Sequence, residues 1–509
     1  MRTKLSAKFI FFLFLSGIVF AGCSGKEEPA QSPSPAVQDS MMAATREAEK
    51  RAAPTGYIAY QTQSGDTLTV VAAHFGVEIS QIKYDTVLDR EALLPPGVQL
   101  YVRDLLEETS RPEVLFFDSD IVFSPSAIGF DAMAFADEQG GYLAGYGEQL
   151  KRGTTSGAQI LYELALEHSI NPRILLSLME YESGWVSREP QDELERFYPF
   201  GWEKKERGGI YFQTGWAINQ LSRGYYGWRD GSLSELTFTD GSTLRLSPYL
   251  NAGTVAVMYL LAQIHDRAEW EEALYGSGSI QGIYSAFFGD AEERAAGVEP
   301  LFPAGLTQPE LNLPFPINEK WNLTSGPHSA WGKYGPRAAL DFAPPLDRPG
   351  CGNSNHWTTA AAAGRVVRAG NGVVVIDLDM DGYEQTGWVL VYMHVANSHR
   401  AQVGDILEQD DRVGHPSCEG GSSSGIHVHI ARKYNGEWVL ADGGIPFVLS
   451  GYRARNGGET CDYAYWGWCR GTLENGEYTV TANPYGNYWT RIIRPESEAR
   501  FFYTPTPKK

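Results

Sequence analysis

The sequence predicts a multidomain α+β protein in which a small mixed module, a helical domain and a mainly antiparallel β domain follow one another. The chain has 509 residues, which is more than one ordinary core accommodates and suggests about three folded units. Apolar spacing of the helical type lies between residues 111 and 300, whereas short β-rich runs separated by Gly-rich turns dominate after residue 311. No fixed-period repeat is present.

The composition is that of a folded protein that does not bind nucleic acid. Charged residues make up 20% of the chain and hydrophobic residues 43%, proportions typical of globular domains. The formal net charge is −20, and no cluster of Lys and Arg interrupts the acidic balance. Because a protein that binds a phosphate backbone needs a basic surface, nucleic acid is excluded as a partner.

Residues 1–23 are predicted to be a secretory signal. Basic residues up to Lys8 precede an apolar run over residues 9–20, and small residues precede Cys23. The apolar run is too short to span a bilayer. The segment resembles the lipobox of bacterial lipoproteins, which implies that Cys23 carries a lipid and anchors an extracytoplasmic protein to the membrane, facing the cell wall. Plain secretion is the alternative.

A linker and a small module follow the signal. Residues 24–54 are dominated by Glu, Pro, Ser, Gln and Ala, which bury too little apolar surface to fold, so they are predicted to be a disordered tether. Residues 55–105 are predicted to form strand, helix, helix and strand, with the strands near Tyr57 and Val102. This βααβ pattern, with Phe75 before a Gly-Val pair, resembles a LysM module, a family that binds glycans containing N-acetylglucosamine.

Residues 111–300 are predicted to form a helical domain. Its clearest helices cover residues 156–168, 172–182 and 251–265, and the apolar spacing of the second indicates a buried face. Glu182 ends this helix, where apolar surroundings could keep a carboxyl group protonated as a general acid. The segment resembles lysozyme-like lytic transglycosylases, which implies cleavage of glycan strands by Glu182. A capping or solvated side chain at the helix end is the alternative.

The β-rich region over residues 311–451 contains the sharpest functional pattern. Alternation along a strand points His427 and His429 to the same face, because successive side chains of a strand face opposite ways. Upstream, His328 and Asp341 supply an imidazole and a carboxylate thirteen positions apart. Two neutral imidazoles and one carboxylate suit Zn²⁺, which in catalytic sites takes three protein ligands and keeps a fourth position open.

These motifs resemble the lysostaphin-like zinc endopeptidases, and the long spacing between the first His and the Asp favours the beta-lytic metalloendopeptidase branch. The resemblance implies that His328, Asp341 and His429 are the zinc ligands. It implies that His394 and His427 are catalytic histidines that do not bind the metal. For any one of these histidines alone, a hydrogen-bonded structural role is the simpler interpretation, but their conjunction in one β-rich segment favours the metal site.

Four cysteines besides the lipobox cysteine predict disulfides, because an exported chain meets an oxidising compartment. Four cysteines allow three pairings. The short separation of Cys461 and Cys469 favours a local loop, which leaves Cys351 to pair with Cys418. Residues 452–509 are then a disulfide-containing C-terminal extension. A zinc site made of cysteines is the alternative, although paired CxxC spacing is missing.

An acidic run precedes one of the predicted strands. Asp377, Asp379 and Asp381 are followed by Gly382, in the pattern that opens an EF-hand calcium loop. The twelfth position, where a Glu is expected, is Trp388, and no pair of flanking helices is predicted. A hairpin turn between two strands is therefore the favoured interpretation.

The three resemblances all concern one polymer, peptidoglycan. Together they imply a cell-wall hydrolase in which the small module holds glycan, the helical domain contacts or cuts it, and a zinc-dependent endopeptidase cleaves stem or cross-bridge peptides. A non-catalytic scaffold that binds the cell wall or activates other hydrolases is the alternative. Metal content distinguishes the two, because a scaffold would purify without stoichiometric zinc.

Overall fold

The structure is a computed structural model, and it describes residues 53–345, 350–352, 354–457 and 469–494. The predicted signal, the lipidation site at Cys23 and almost all of the linker lie outside the described residues, so those predictions stay predictions. The described residues from Pro54 onward belong to one compact unit. Within the described ranges, no helix combines the length and the apolar character needed to cross a membrane.

The small N-terminal module contains three strands and one α-helix. Its elements are β1 (Tyr57–Gln61), α1 (Leu68–Phe75), β2 (Ile82–Lys83) and β3 (Gln99–Arg103), and β3 is the central strand of the sheet. The predicted βααβ order is wrong in its second helix, because Ile79–Gln81 forms only a single 3-10 turn. Lys83 instead pairs with Tyr101 in the sheet, and its ammonium group lies 3.9 Å from the centre of the Tyr57 ring. Strand pairing thus satisfies the backbone groups that a helix would have paired internally.

The region after this module is helical, as predicted. Its helices are α2 (Asp118–Ile121), α3 (Ala132–Gln139), α4 (Tyr142–Gly145), α5 (Gly157–His168), α6 (Pro172–Ser183), α7 (Glu193–Phe197), α8 (Ile210–Arg229), α9 (Ala252–Ala262), α10 (Arg267–Tyr275), α11 (Ile280–Phe288) and α12 (Ala291–Ala295). Two hairpins interrupt them, β4 (Gly147–Leu150) with β5 (Gly153–Ser156) and β6 (Glu235–Thr237) with β7 (Thr243–Arg245). The three helices predicted from the sequence are α5, α6 and α9.

Polar caps explain where these three helices begin. The side chains of Ser156, Asn171 and Asn251 each accept a hydrogen bond from a backbone N–H of the first turn, which satisfies a donor that has no partner within the helix. Pro172 occupies the first position of α6, where its missing N–H costs nothing. Helix α6 ends at Gly184, whose left-handed backbone closes the last turn.

The C-terminal region is built on a nine-stranded antiparallel sheet. Its strands are β8 (Lys320–Ser329), β9 (Arg337–Ala343), β11 (Gly364–Gly370), β12 (Val373–Asp377), β13 (Trp388–Met393), β14 (Ile406–Leu407), β16 (Val428–Tyr434), β17 (Glu437–Trp438) and β22 (Arg491–Ile493). The order is β14-β11-β12-β13-β16-β9-β8-β22, with β17 paired to β16. This sheet confirms the predicted mainly antiparallel β region.

Two smaller sheets complete the region. Strands β18 (Val448–Leu449), β19 (Tyr452–Asn456), β20 (Gly471–Glu474) and β21 (Thr479–Thr481) form a four-stranded sheet, and β10 (Thr358–Thr359) pairs with β15 (Arg412–Gly414). The four-stranded sheet contains residues of the predicted C-terminal extension, and β22 of the same extension joins the edge of the large sheet beside β8. The described part of the extension is therefore integral to the β region.

The two faces of the large sheet belong to different hydrophobic cores. On one face Leu390 and Ile430 pack with the four-stranded sheet. On the other face Val391 and Ala431 pack in the same core as the helices. Because side chains alternate along β16, His429 lies on the face of Ala431. The helices thus cover the sheet on the side from which the predicted metal ligands project.

The turn from β16 into β17 inserts among the helices. The backbone N–H of Trp438 donates to the Tyr226 hydroxyl at 3.0 Å, and the indole N–H of Trp438 donates to the His168 carbonyl at 3.0 Å. The hydroxyl of Ser169 donates to the carbonyl of Gly436 at 2.7 Å. These hydrogen bonds fix the helical region to the sheet close to the strand that carries His429.

A buried ionic cluster joins all three regions. The Arg229 guanidinium lies 2.8 Å from carboxylate oxygens of both Asp118 and Glu437, and it also donates to the Ser64 carbonyl of the N-terminal module. The Tyr225 hydroxyl donates to Glu437 at 2.8 Å. The cluster is buried, so each charge depends on its partners for compensation.

Candidate metal centre

The three predicted metal ligands come from three neighbouring strands. Asp341 on β9 and His429 on β16 are direct cross-strand partners, which places their Cβ atoms close together on one face. His328 lies on β8, whose pairing with β9 shifts register between Ser325 and His328 and again between His328 and Ser329. Such an irregularity changes the direction of a side chain, and here it brings His328 to the other two ligands.

Three potential ligand atoms converge with nearly equal separations. Asp341 Oδ1 lies 3.2 Å from His328 Nε2 and 3.2 Å from His429 Nδ1. The two ring nitrogens are 3.1 Å apart. A tetrahedral Zn²⁺ with bonds of about 2.0–2.1 Å separates its ligand atoms by about 3.3 Å. The triangle is therefore close to the size that a zinc ion requires.

Backbone carbonyls orient both imidazoles. His328 Nδ1 lies 2.9 Å from the Gly326 carbonyl oxygen, and His429 Nε2 lies 3.0 Å from the Ala330 carbonyl oxygen. A ring nitrogen that faces a carbonyl oxygen must carry the hydrogen, so in the neutral ring the opposite nitrogen presents its lone pair. This is the arrangement by which proteins commonly orient metal-binding histidines.

The donor set fits a cation. Asp341 Oδ1 is buried and has no hydrogen-bond partner, and such a group is costly unless something positive compensates it. The two nitrogens that face it present lone pairs when their rings are neutral. Three electron-pair donors therefore point at one another, an arrangement that a metal ion stabilises.

Asp341 is held in its ionised form. Burial alone would raise the pKa of Asp341, but the positive charge that His328 and His427 carry when they are protonated holds that pKa well below its usual range, a charge that a bound cation would replace. A carboxylate must be deprotonated to bind a metal. The local electrostatics therefore favour the form of Asp341 that serves as a ligand.

The two other predicted catalytic histidines lie beside this triangle. The rings of His394 and His427 have centroids 4.4 Å apart, and His427 Nε2 is 3.5 Å from Asp341 Oδ2. His394 Nδ1 donates to the Glu419 carbonyl at 3.0 Å, and His427 Nδ1 donates to the Gly425 carbonyl at 2.8 Å. His427 Nε2 thus faces the site, and the hydrogen on Nδ1 of His394 leaves a lone pair on its Nε2.

His394 stays neutral in this environment. Burial lowers the pKa of His394 to about 3, and the nearby His427 and His429 act in the same direction. A neutral imidazole with an available Nε2 can accept a proton or a hydrogen bond. The structure thus brings all five predicted residues of the β region together, and their catalytic roles stay predictions.

A disulfide lies at the edge of this site. Cys351 and Cys418 are bonded, with Cα atoms 5.8 Å apart and 67 positions between them in the sequence. The predicted long-range pairing is confirmed, and these two cysteines are not available as metal ligands. Cys461 lies outside the described residues, so its pairing with Cys469 stays a prediction.

Glu182 belongs to a separate place in the helical region. Its Oε1 lies 2.9 Å from Nε2 of His265. Burial alone would lower the pKa of His265, but the hydrogen bond and the charge of Glu182 raise it overall. The general-acid role of Glu182 stays a prediction.

The acidic run lies in the turn between β12 and β13. Oxygen atoms of Asp377, Asp379 and Asp381 lie within 4.8 Å of one another. Asp377 accepts hydrogen bonds from the backbone N–H groups of Asp379 at 3.2 Å and Gly382 at 2.8 Å. These contacts are those of a turn stabilised by an Asp side chain, which agrees with the predicted hairpin.

The groups that orient the histidines could not be identified from the sequence. They are the carbonyls of Gly326, Ala330, Glu419 and Gly425. Every residue has a carbonyl, so no residue type marks these positions. Only the strand register and the loop paths bring them to the imidazole rings.

Comparison with known proteins extends across most of the chain. Residues 114–301 match the family model "LasA, N-terminal domain". Protease LasA of Pseudomonas aeruginosa is 28% identical over 371 residues, which cover 67% of this chain and 79% of that protein. The chain is similar to the LasA-like peptidases. The LysM-like and lysozyme-like interpretations of the first two regions stay predictions.

The β region has further relatives. Beta-lytic metalloendopeptidase of Achromobacter lyticus is 28% identical over 186 residues, which cover 34% of this chain and 45% of that protein. Beta-lytic metalloendopeptidase of Lysobacter enzymogenes is 28% identical over 160 residues, which cover 30% of this chain and 83% of that protein. The branch predicted from the spacing of His328 and Asp341 is thus represented among the relatives.

Solved structures also align with part of the chain. The M23 metalloprotease pseudoalterin from the deep sea is 23% identical, with a TM-score of 0.28, and the alignment covers 38% of this chain and 100% of that one. The catalytic domain of lysostaphin from Staphylococcus simulans is 22% identical, with a TM-score of 0.18, and the alignment covers 24% of this chain and 90% of that one. Both alignments leave more than half of this chain uncovered.

Proposed function

We propose that this protein is a zinc-dependent endopeptidase that cleaves stem or cross-bridge peptides of bacterial peptidoglycan. The observation that carries the proposal is the convergence of His328 Nε2, His429 Nδ1 and Asp341 Oδ1, with no hydrogen-bond partner for the buried carboxylate oxygen. The relatives named Protease LasA and beta-lytic metalloendopeptidase support a peptidase. Zinc is favoured because two imidazoles and one carboxylate suit it.

His394 and His427, which lie beside the ligands, have different catalytic roles in this proposal. When bound, zinc supplies a Lewis acid that polarises a peptide carbonyl and makes water a better nucleophile at neutral pH. His394 is neutral and offers Nε2, so it accepts a proton from the attacking water or a hydrogen bond from the substrate. His427 Nε2 lies 3.5 Å from Asp341 Oδ2, so His427 is placed beside the ligands, where it can contact the leaving amine or the developing oxyanion.

The experiment uses the full chain and purified peptidoglycan. New amino termini are measured with and without a chelator, and zinc per chain is measured in the purified protein. We expect release that the chelator abolishes, and no release with His429→Ala. His399→Ala is the matched control, because His399 is an exposed residue outside the ligand set. Release that persists in chelator, or a wild-type protein that binds the wall without zinc, would contradict the proposal and favour a scaffold.

The proposed location is outside the cytoplasm, with a lipid on Cys23. The support for this proposal is the order of basic residues, an apolar run and small residues before that cysteine. Metabolic labelling with a radioactive fatty acid tests it. The wild-type chain should carry label in the membrane fraction, and Cys23→Ser should lose it. Label that remains on the variant would contradict the anchor.

A further inference from the structure

A three-residue segment lies between the two histidines that are not ligands. The backbone N–H of Ser417 donates to the His394 carbonyl at 2.6 Å, and the Ser417 hydroxyl donates to the same oxygen at 2.9 Å. The His394 ring donates to the Glu419 carbonyl at 3.0 Å. The backbone N–H of His427 donates to the Ser417 carbonyl at 3.4 Å. Residues 417–419 thus hold His394 at both its backbone and its ring, and they contact His427.

His394 needs this support because its backbone is strained. Its φ is 62°, in the left-handed region that residues with a Cβ rarely adopt unless surrounding contacts impose it. The preceding residues form β13, which ends at Met393. The left-handed backbone of His394 therefore turns the chain out of the strand, and a relaxed backbone would redirect the ring away from the triangle of ligands.

The disulfide anchors this segment at its middle residue. Cys418 is bonded to Cys351, and the neighbouring Gly350 carbonyl accepts a hydrogen bond from the backbone N–H of Ile426 at 3.3 Å. Ile426 immediately precedes His427. The crosslink thus connects the segment that holds His394 to the chain that leads into His427, and it fixes the two rings relative to each other.

The backbone of residues 371–372 packs closely against residues 419–420, at the end of the segment. A Cβ on Gly372 would lie 2.4 Å from the Glu419 carbonyl oxygen, and a Cβ on Gly420 would lie 2.4 Å from the Asn371 carbonyl oxygen. Only glycine permits such an approach at both positions. The carbonyl that accepts the His394 hydrogen bond is therefore held between the disulfide and the turn at residues 371–372.

We infer that residues 417–419, anchored by the Cys351–Cys418 disulfide, are a positioning element that fixes the ring orientation and the tautomer of His394 for proton transfer. This inference rests on the proposed peptidase function for its kinetic consequence. The structural consequence, a hydrogen on Nδ1 and a lone pair on Nε2 of His394, does not depend on activity. Ser417 hydrogen-bonds to His394 and not to the ligand atoms, and Cys418 is bonded to Cys351, so we expect these residues to act through His394.

Two variants of the full chain remove the support independently. Ser417→Ala deletes the hydroxyl that donates to the His394 carbonyl, and Ser417→Thr retains a hydroxyl as the conservative rescue. A double variant, Cys351→Ser with Cys418→Ser, removes the crosslink. Ser354→Ala is the matched control, because its hydroxyl contacts the backbone of His356 instead.

Three measurements test the inference. We expect kcat for a peptidoglycan peptide to fall about 10- to 100-fold in Ser417→Ala and in the cysteine variant, as a small displacement of a reacting group does, with KM and zinc content unchanged. Ser417→Thr should recover most of the rate, and Ser354→Ala should equal the wild type. Nitrogen-15 spectra of histidine should show a hydrogen on His394 Nδ1 in the wild type and tautomer exchange in the two impaired variants.

The outcomes separate this inference from the proposed function. If the wild type cleaves no peptide but the His394 tautomer is lost in Ser417→Ala, the positioning role stands and the peptidase proposal fails. If kcat and the His394 spectrum are unchanged in both Ser417→Ala and the cysteine variant, the positioning role is overturned. A fall in kcat that is accompanied by loss of zinc also overturns it, because the segment would then support the ligands and not His394.

Discussion

Arg229 on α8 and Glu437 on β17 form a buried ion pair, with Nε 2.8 Å from the carboxylate, across the contact between the helices and the sheet. The same guanidinium also neutralises Asp118. Removal of the shared cation leaves two carboxylates without compensation in a buried place, which costs far more than the pair itself contributes. The stability of the fold therefore depends strongly on Arg229.

We predict that Arg229→Met lowers the free energy of unfolding by roughly 3–5 kcal/mol, because Asp118 and Glu437 are left unpaired. Denaturant unfolding followed by tryptophan fluorescence measures the change. Arg223→Met on the same helix is the control, since Arg223 is exposed and such a surface substitution shifts stability by only about 0.5 kcal/mol. Equal stability of the two variants would show that the buried cluster contributes little.

Asp341→Asn should weaken zinc binding while it preserves the shape of the site. The amide lacks the negative charge of the carboxylate. Loss of a residue that only hydrogen-bonds to a metal ligand lowers metal affinity about 10- to 100-fold. Loss of the ligand itself should therefore lower zinc affinity on the order of 100-fold or more. Competition with a fluorescent zinc chelator measures the affinity. The matched control is Asp379→Asn in the acidic turn. If zinc affinity falls in the control but not in Asp341→Asn, zinc binds at the acidic turn, and the assignment of Asp341 as a ligand is wrong.

Glu384 should make the fold sensitive to acid. Burial alone would raise the pKa of Glu384, but Lys433 and Arg368 lower it to about 2. Because the folded pKa lies below the ordinary value of about 4.3, this ionised group stabilises the protein fully above that value. The contribution is lost as the pH falls through about 2.

The melting temperature between pH 6 and pH 2 measures this contribution. Glu384→Gln should be less stable than the wild type at pH 6, because Lys433 loses its partner at 3.0 Å. The difference should shrink as the solution is acidified, since the wild-type carboxylate is protonated there too. The metal centre is the same in both proteins and cancels in the comparison. A difference that stays constant with pH would contradict the assignment.

Glu182→Gln tests the general-acid prediction in the helical region. The amide cannot donate the proton that cleavage of a glycosidic bond requires, so any new glycan ends should disappear while peptide release continues. Mass spectrometry of the released muropeptides reports both. An unchanged pattern would leave the contact between Glu182 and His265 as a structural ion pair at the end of α6.

The sequence predicts strands well where local signals are strong. Val373–Asp377 and Trp388–Met393 are apolar runs bounded by turns, and the structure has strands there. Helix α8 was not predicted, because its sequence contains Gly and many aromatic residues, which have low helix propensity. Its burial among the other helices stabilises it instead. Strand β8 was also missed, since Gly326 and Pro327 interrupt it.

The candidate site was predictable in part. The spacing of His427 and His429 determines their common face, and the pairing of Asp341 with His429 follows once β9 and β16 are neighbours. The position of His328 depends on irregular pairing with β9, which no spacing rule reveals. The link between His394 and Glu419 depends on a loop path and a disulfide, so only the folded chain shows it.

The core shared by the helices and the large sheet has a consequence for how the protein is handled. Val375, Val391 and Ala431 lie in one core with the helices, so excision of the β region would expose an apolar sheet face to water. Exposed faces of this kind promote self-association. Segments that look separable along the sequence therefore share one hydrophobic core, and we expect recombinant fragments that begin near residue 311 to aggregate unless that face is redesigned with polar side chains.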